Sequence, residues 1–351
     1  MAPFATLIIG SSGAALLALG AGILNGSFAT PTRFMNRWQW ENVWALWAVF
    51  AMLILPWTIA FATVPHLLAT YQSPEVSRAL LLVIVFGAGY GIAAICFGLG
   101  VDAIGIALNF AIALGTATAV GSAIPLVWFH SSAVFTRQGL TIEAGIALVI
   151  IGIVFCGIAG RSKERVQAKQ LDQGDRPRTS NFGKGLALAL VAGAGSALQN
   201  FGLAFGVPLL HRAADLGTEQ SYQSIVIWAP LLTATLVPYL LFCARLWKKN
   251  RSWNLFFAPK TGIYWLLGLV MGALWFSSLV LYGAASTRMA DMGPVLGWPL
   301  FMSAIILTSN VWGFAVGEWK GATRGSLATM FVGLAFLILG FCTLAWSSRL
   351  T

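Results

Sequence analysis

The chain has 351 residues, 58% of them apolar and only 9% charged, with a mean hydropathy of +0.81. Soluble domains carry roughly 25% charged residues, so a water-soluble enzyme or binding module is excluded and an all-α integral membrane protein is implied. The net charge of +10 does not point to nucleic acid, because Lys and Arg are spread among the connections between apolar runs; they are topology signals.

In chain order, apolar runs fall near residues 4–28, 42–68, 78–99, 104–129, 140–159, 185–210, 221–243, 262–285, 292–316 and 326–346. Each is long enough to cross roughly 30 Å of hydrocarbon as a helix. The first is read as an uncleaved span, since no Lys or Arg precedes Arg33 to form the basic start of a secretory leader. Of the 21 Lys and Arg, only Arg78, Arg137, Arg212, Arg288 and Arg349 lie in the even-numbered connections or after the last run. The odd-numbered connections carry the rest, so they are expected in the cytoplasm with both termini outside.

The long polar stretch "RSKERVQAKQLDQGDRPRTSNFGK", residues 161–184, falls between the fifth and sixth runs. It predicts a cytoplasmic linker between a first five-helix repeat over 1–160 and a second over 185–351. Five is odd, so related halves sit in opposite orientations, the inverted-repeat arrangement of many secondary transporters. A shift of 175 residues places Gly10 on Gly185, Gly20 on Gly195 and Asn25 on Asn200. GxxxG pairs at Gly87/Gly91 and Gly268/Gly272 predict close helix contacts. Cys96, Cys156, Cys243 and Cys342 lie in separate runs without a CxxC pair, so they read as buried thiols rather than disulfide or metal ligands.

Polar side chains at membrane depth are costly and should face a cavity or a partner helix. The amides are Asn25, Asn109, Gln199, Asn200 and Asn310; with Thr116, Ser278 and Tyr282 they offer donors and acceptors to a neutral polyhydroxylated solute. Trp275 and Tyr282 are seven residues apart and share a helix face, so an aromatic wall against amides makes a sugar site. The alternative for each amide is an interhelical hydrogen bond worth about 0.6 kcal/mol. Asn200 is expected on the solute, with Gln199, about 100° away around the helix, bracing or sharing the contact. Glu143 is the only carboxylate inside a predicted span. Asp102, in the apolar "CFGLGVDAIGIALNF", reads either as a buried proton carrier or as a hairpin cap. Glu41 stands at a span edge.

One segment is more specific. "NRWQWENVWALWAVFAMLILPWTIA", residues 36–60, resembles the L-rhamnose/proton symporter family of the drug/metabolite transporter superfamily. The resemblance continues through "NGSFATP" (25–31), "FGLG" (97–100), "QNFGLAFG" (199–206), "LYG" (281–283) and "WGFAVGEWKG" (312–321). It implies ten helices from two inverted halves and uptake of a deoxy sugar, L-rhamnose before any other, across a bacterial cytoplasmic (inner) membrane by proton symport, with the proton as coupling ion and no other cofactor. The chain departs from the family's pattern at Gly297, Trp298, Pro299 and Phe301 in the ninth run and at Pro238 in the seventh. The expected sugar site is then Asn25, Gln199, Asn200, Trp275 and Tyr282, with Asn109, Asn310 and Trp298 as further candidates; Asp102, Glu143 and Glu41 are the candidate proton carriers. One alternative is an exporter or exchanger of another metabolite or drug on the same fold. A remote one is an intramembrane protease, from "GSSG" (10–13) and "GLGVD" (98–102), which lacks the second catalytic group such chemistry needs.

Overall fold

The computed structural model describes residues 2–170, 182–289, 292–317, 319–347 and 350. Among these every regular element is helical, and ten stretches are long and apolar enough to cross a membrane. Span one is α1 (Ala2–Ser27). Span two is α2 (Trp40–Val49), a π turn over Phe50–Ile54, and α3 (Leu55–Thr63), followed by the short α4 (Leu67–Gln72). Spans three to five are α5 (Ser77–Ile104), α6 (Ile106–Phe129) and α7 (Arg137–Gln170). Span six is built of three pieces, α8 (Phe182–Ser196), α9 (Leu198–Phe205) and α10 (Val207–Asp215). Spans seven to ten are α11 (Ile225–Asn250), α12 (Gly262–Arg288), α13 (Gly293–Ala315) and α14 (Arg324–Ser347).

The predicted spans all appear, with shifted ends. Only Gly105, at φ 88°, separates α5 from α6, because a residue without Cβ turns the chain there at no steric cost. Helix α7 runs on into the stretch expected as linker. Its basic extension is held by packing: Lys163 Nζ lies 4.8 Å from the centroid of the Trp319 ring, and Ser326 donates to the Ser162 hydroxyl at 2.7 Å. Linker residues 171–181 lie outside the described residues.

Proline accounts for the irregularity in span two and for the break at Gly206. Pro56 has no N–H to give the carbonyl four residues back, and the turn before it loosens to a π bond, Leu55 N–H to Phe50 O. In span six α9 stops at Gly206 and α10 opens with Pro208 near its start. Inside α11, Pro230 deprives the Val226 carbonyl of its helical donor; Tyr71 of α4 donates to that carbonyl at 3.0 Å. Burial pushes the Tyr71 phenol well above its ordinary range, so it remains a donor.

Small residues set the packing. Span three lies against spans six and seven, span eight against one and two, span one against nine, and span four against six. Gly87 and Gly91 receive the Leu231 and Thr235 backbone of α11; Gly268 and Gly272 receive Leu46 and Phe50 of span two. Gly152 faces Gly333 and Gly145 faces the Leu344 and Gly340 turn, a register that makes α7 and α14 antiparallel. The direction alternates from span to span, so the two chain ends share one face. We call this the terminal face, and the opposite one the linker face.

A Cβ at Gly333 meets Cys156 Sγ at 2.7 Å and Gly152 O at 2.9 Å, whereas one at Gly98 meets nothing within 4 Å. Overpacking of this kind costs about 1–3 kcal/mol. Gly333→Val is therefore expected to lower the melting temperature and monodisperse yield of detergent-solubilised protein, and Gly98→Ala to leave both unchanged, as read by size-exclusion after heating.

Candidate functional site

Two polar and aromatic clusters occupy the interior. The first is centred on Asn200, the third residue of α9 after the Ala197 break in span six. Its side chain is 0% exposed. Asn200 Nδ2 donates to Gly121 O at 2.7 Å and to Pro294 O at 2.8 Å, and the Tyr282 hydroxyl donates to Asn200 Oδ1. The Gly121 carbonyl is four residues before Pro125, so it lacks its helical N–H. Asn200 supplies the missing donor.

Tyr282 in turn stacks on Phe301 at 4.9 Å and 15° and meets Trp298 edge-on at 5.7 Å. Trp298 Nε1 donates to Ala117 O at 2.9 Å. Spans four, six, eight and nine are thus tied at one level, toward the terminal face, where α13 begins. Gly297 is what admits Tyr282: a Cβ there stands 3.2 Å from the ring. Substitution at Gly297 therefore acts on packing around Tyr282.

The second cluster lies about two turns nearer the linker face. Asn25, half-buried near the end of α1, donates from Nδ2 to Ser278 Oγ at 2.9 Å, and Ser278 donates to the Trp275 carbonyl at 2.5 Å. The Trp275 ring meets Trp47 edge-on at 5.2 Å. Trp47 also packs on Phe28 at 5.4 Å, Trp44 at 5.3 Å and Tyr239 at 6.4 Å. Trp47 is 5% exposed, and its indole N–H has no hydrogen-bond partner among the described residues. An orphaned donor in such a place is expensive and is what a ligand oxygen satisfies. Sequence reading missed Trp47; its position six residues after Glu41 in the Trp-rich segment was the available signal.

The remaining sequence candidates are scattered. Gln199 is buried and bonds the Tyr90 side chain across to span three. Asn109 donates to Phe97 O at 3.1 Å, pressing its unpartnered Oδ1 on Gly100, and braces the α5–α6 hairpin. Asn310 donates back to Ile306 O of its own helix at 2.9 Å. Glu143 is exposed on the second turn of α7. Asp102 lies in the last turn of α5, and its side chain is outside the described residues, as are those of Ser11 and Ser12 in "GSSG".

Glu41 is different. It is the one charged side chain buried among the described residues, 2% exposed, at the linker-face start of α2. The Ser252 hydroxyl donates to its Oε1, and Asn250 Nδ2 donates to the same oxygen at 3.0 Å. Its neighbour Asn42 donates to Ser252 O at 3.0 Å. No group of three or more His, Cys, Asp or Glu forms a metal cage among the described residues.

Alternating apolar spans that enclose buried amides, unpartnered indoles and a buried carboxylate define a multi-pass membrane transport protein. The family model described as "L-rhamnose-proton symport protein (RhaT)" matches residues 12–345, and the chain belongs to this family. It is 29% identical over 319 residues to the L-rhamnose-proton symporter of Citrobacter koseri, covering 89% of this chain and 91% of that protein. The L-rhamnose-proton symporters of Salmonella paratyphi A and Klebsiella pneumoniae match at the same identity and coverage. Membership in a transporter family removes the protease reading.

Removing the Tyr282 hydroxyl leaves Asn200 Oδ1 without its donor, and Asn200→Leu strips the Gly121 carbonyl as well. An unsatisfied buried group costs about 1–3 kcal/mol. Asn200→Leu is therefore expected to lower the thermal midpoint more than Tyr282→Phe, and a double variant to be no worse than Asn200→Leu alone, because both act on one bond network.

Proposed function

We propose that this protein imports L-rhamnose together with protons across a bacterial cytoplasmic membrane, by alternating access between two five-helix halves. The observation that carries this reading is the family match over nearly the whole chain, on a fold of ten apolar spans. The named relatives are L-rhamnose-proton symporters, and the proton is the coupling ion. The bias of Lys and Arg toward the odd-numbered connections supports a cytoplasmic linker face and outer termini.

Support for the inverted repeat, residues 1–160 and 185–351 around the linker 161–184, comes from the neighbour pattern. Under a shift of five spans, the contact of three with six becomes eight with one. That of three with seven becomes eight with two, and that of four with six becomes nine with one. Spans five and ten pair with each other, as elements on a two-fold axis do.

In this reading the sugar sits against the second cluster. Asn25 and Ser278 offer hydroxyl partners, Trp275 and Trp47 cover the C–H face, and the Trp47 indole gains the acceptor it lacks. Asn200, Tyr282 and Trp298, whose polar groups are taken up by neighbouring backbone and side chain, hold the outer half of spans four, six, eight and nine together; opening outward means loosening this set. Gln199 links the outer set to Tyr90.

Purified protein in proteoliposomes is expected to accumulate labelled L-rhamnose under an inward proton gradient, and a protonophore to abolish the accumulation. Absence of gradient-driven accumulation would sink the reading. Asn25→Ala is expected to raise the half-saturating L-rhamnose concentration about tenfold, the equivalent of roughly 1.4 kcal/mol, with protein yield preserved.

A further inference from the structure

We propose that Glu41 is the proton-binding group of the transport cycle, and that Ser252 and Asn250 are the positioning residues that make the junction of spans two and seven respond to its proton. The inference rests on the proton-coupled reading above and selects among its carriers.

The environment of Glu41 is that of a working carboxyl. Of the carboxylates whose side chains are described, Glu75, Glu143, Asp215 and Glu219 are exposed and Glu164 is half-buried. Glu41 alone is withdrawn from solvent. Glu41 is the second residue of span two, where a buried ionisable group is costly, and among the described residues its carboxyl meets neutral donors rather than a cation. The elements packed around it add few charges. On α11, Cys243 lies within electrostatic reach, and Tyr239, a turn further, faces Cys243. Lys248, Lys249 and Arg251 point to solvent, and Arg37 donates to Pro259 O at 3.1 Å. Among the described residues, a proton therefore changes the local charge with no basic side chain hydrogen-bonded to the carboxyl.

The junction is built to register that change. Arg251 caps α11 in the left-handed region, φ 53° and ψ 33°, a conformation that side-chain-bearing residues adopt at a cost. The turn brings Ser252 back under span two, where it is gripped twice, by Glu41 through its hydroxyl and by Asn42 through its carbonyl. Asn42 Oδ1 is fully buried and lacks a partner among the described residues. An ionised Glu41 only accepts hydrogen bonds, whereas the protonated form has an O–H of its own to donate and accepts more weakly. Adding the proton loosens the hold on Ser252 and Asn250. No bond other than the O–H forms or breaks. The aromatic cluster lies close by: Trp47 follows Glu41 by six residues on the same span, about 9 Å along a helix.

The test compares wild type, Glu41→Gln and Ser252→Ala in proteoliposomes, for gradient-driven uptake and for L-rhamnose counterflow at equal pH. Glu41→Gln is expected to keep counterflow and lose driven accumulation. Ser252→Ala is expected to keep both, with the pH dependence of driven uptake displaced upward by about one unit, because the charged carboxyl has lost a donor. Driven accumulation by Glu41→Gln overturns the proposal; so does an unmoved profile in Ser252→Ala, the variant that decides if Glu41→Gln fails to fold. Infrared titration of the sugar-free proteins separates this from failure of the rhamnose reading. Wild type is expected to show a pH-dependent protonated-carboxyl band that Glu41→Gln lacks, and an identical band in both overturns the proposal whatever sugar is carried.

Discussion

A backbone carbonyl inside a bilayer has no water to turn to once its helical donor is lost. This chain places prolines within several of its spans, and the carbonyls they orphan must find donors on other spans. Pro125 releases Gly121 O, and Asn200 answers it from span six. Pro230 releases Val226 O, and Tyr71 answers it from the segment after span two. Both bonds cross between elements distant in sequence, so each local defect becomes a tertiary tie. The polar interior follows from the need to complete helices as much as from any solute.

Those ties would be useless at ordinary helix spacing. Gly87 and Gly91 on span three and Gly268 and Gly272 on span eight bring neighbouring backbones close enough for a side-chain Cβ to be excluded. Thr235, packed at Gly91, donates to Gly87 O at 2.9 Å, a bond possible only because the glycines let α11 approach. Without lipid-driven association between helices, van der Waals contact and such bonds are what hold spans together. Both close approaches join an early span to a late one, three to seven and eight to two.

The ten spans, the all-helical class and the family were legible in the sequence, because hydropathy over some twenty residues is a strong signal and "NRWQWENVWALW" is specific. Ends were less so. The Arg161–Gln170 stretch looks like linker by charge, yet it continues α7, since Lys163 and Ser162 find partners at Trp319 and Ser326. The site was half legible. Amides at depth are visible from composition, but their partners are not: that Asn200 faces a carbonyl freed by Pro125 depends on how spans four and six meet. Glu41 looked peripheral because burial at a span's edge is decided by the chain that folds over it, here Ser252, 211 residues away.

Coupling a proton to a neutral sugar poses a particular problem. The sugar carries no charge, so direct Coulomb interaction with a titrating group contributes little, and a ligand shifts a conformational equilibrium only by its different affinity for the two states. The two ligands must therefore act on a shared element with two arrangements. Span two qualifies on geometry. Its linker-face end carries Glu41 bound to the segment after span seven. Its middle carries Trp47 against Trp275 of span eight. Its far end carries Trp57, which donates to Thr233 of span seven at 2.8 Å. Between Trp47 and Trp57 the helix is interrupted by the π turn before Pro56, the sort of irregularity at which a helix bends. A span held at both ends by polar bonds to span seven and interrupted in the middle transmits a change at one end only if the bonds there weaken. In the proposed cycle a proton on Glu41 weakens such bonds, and a sugar at Trp47 presses on the same helix from within.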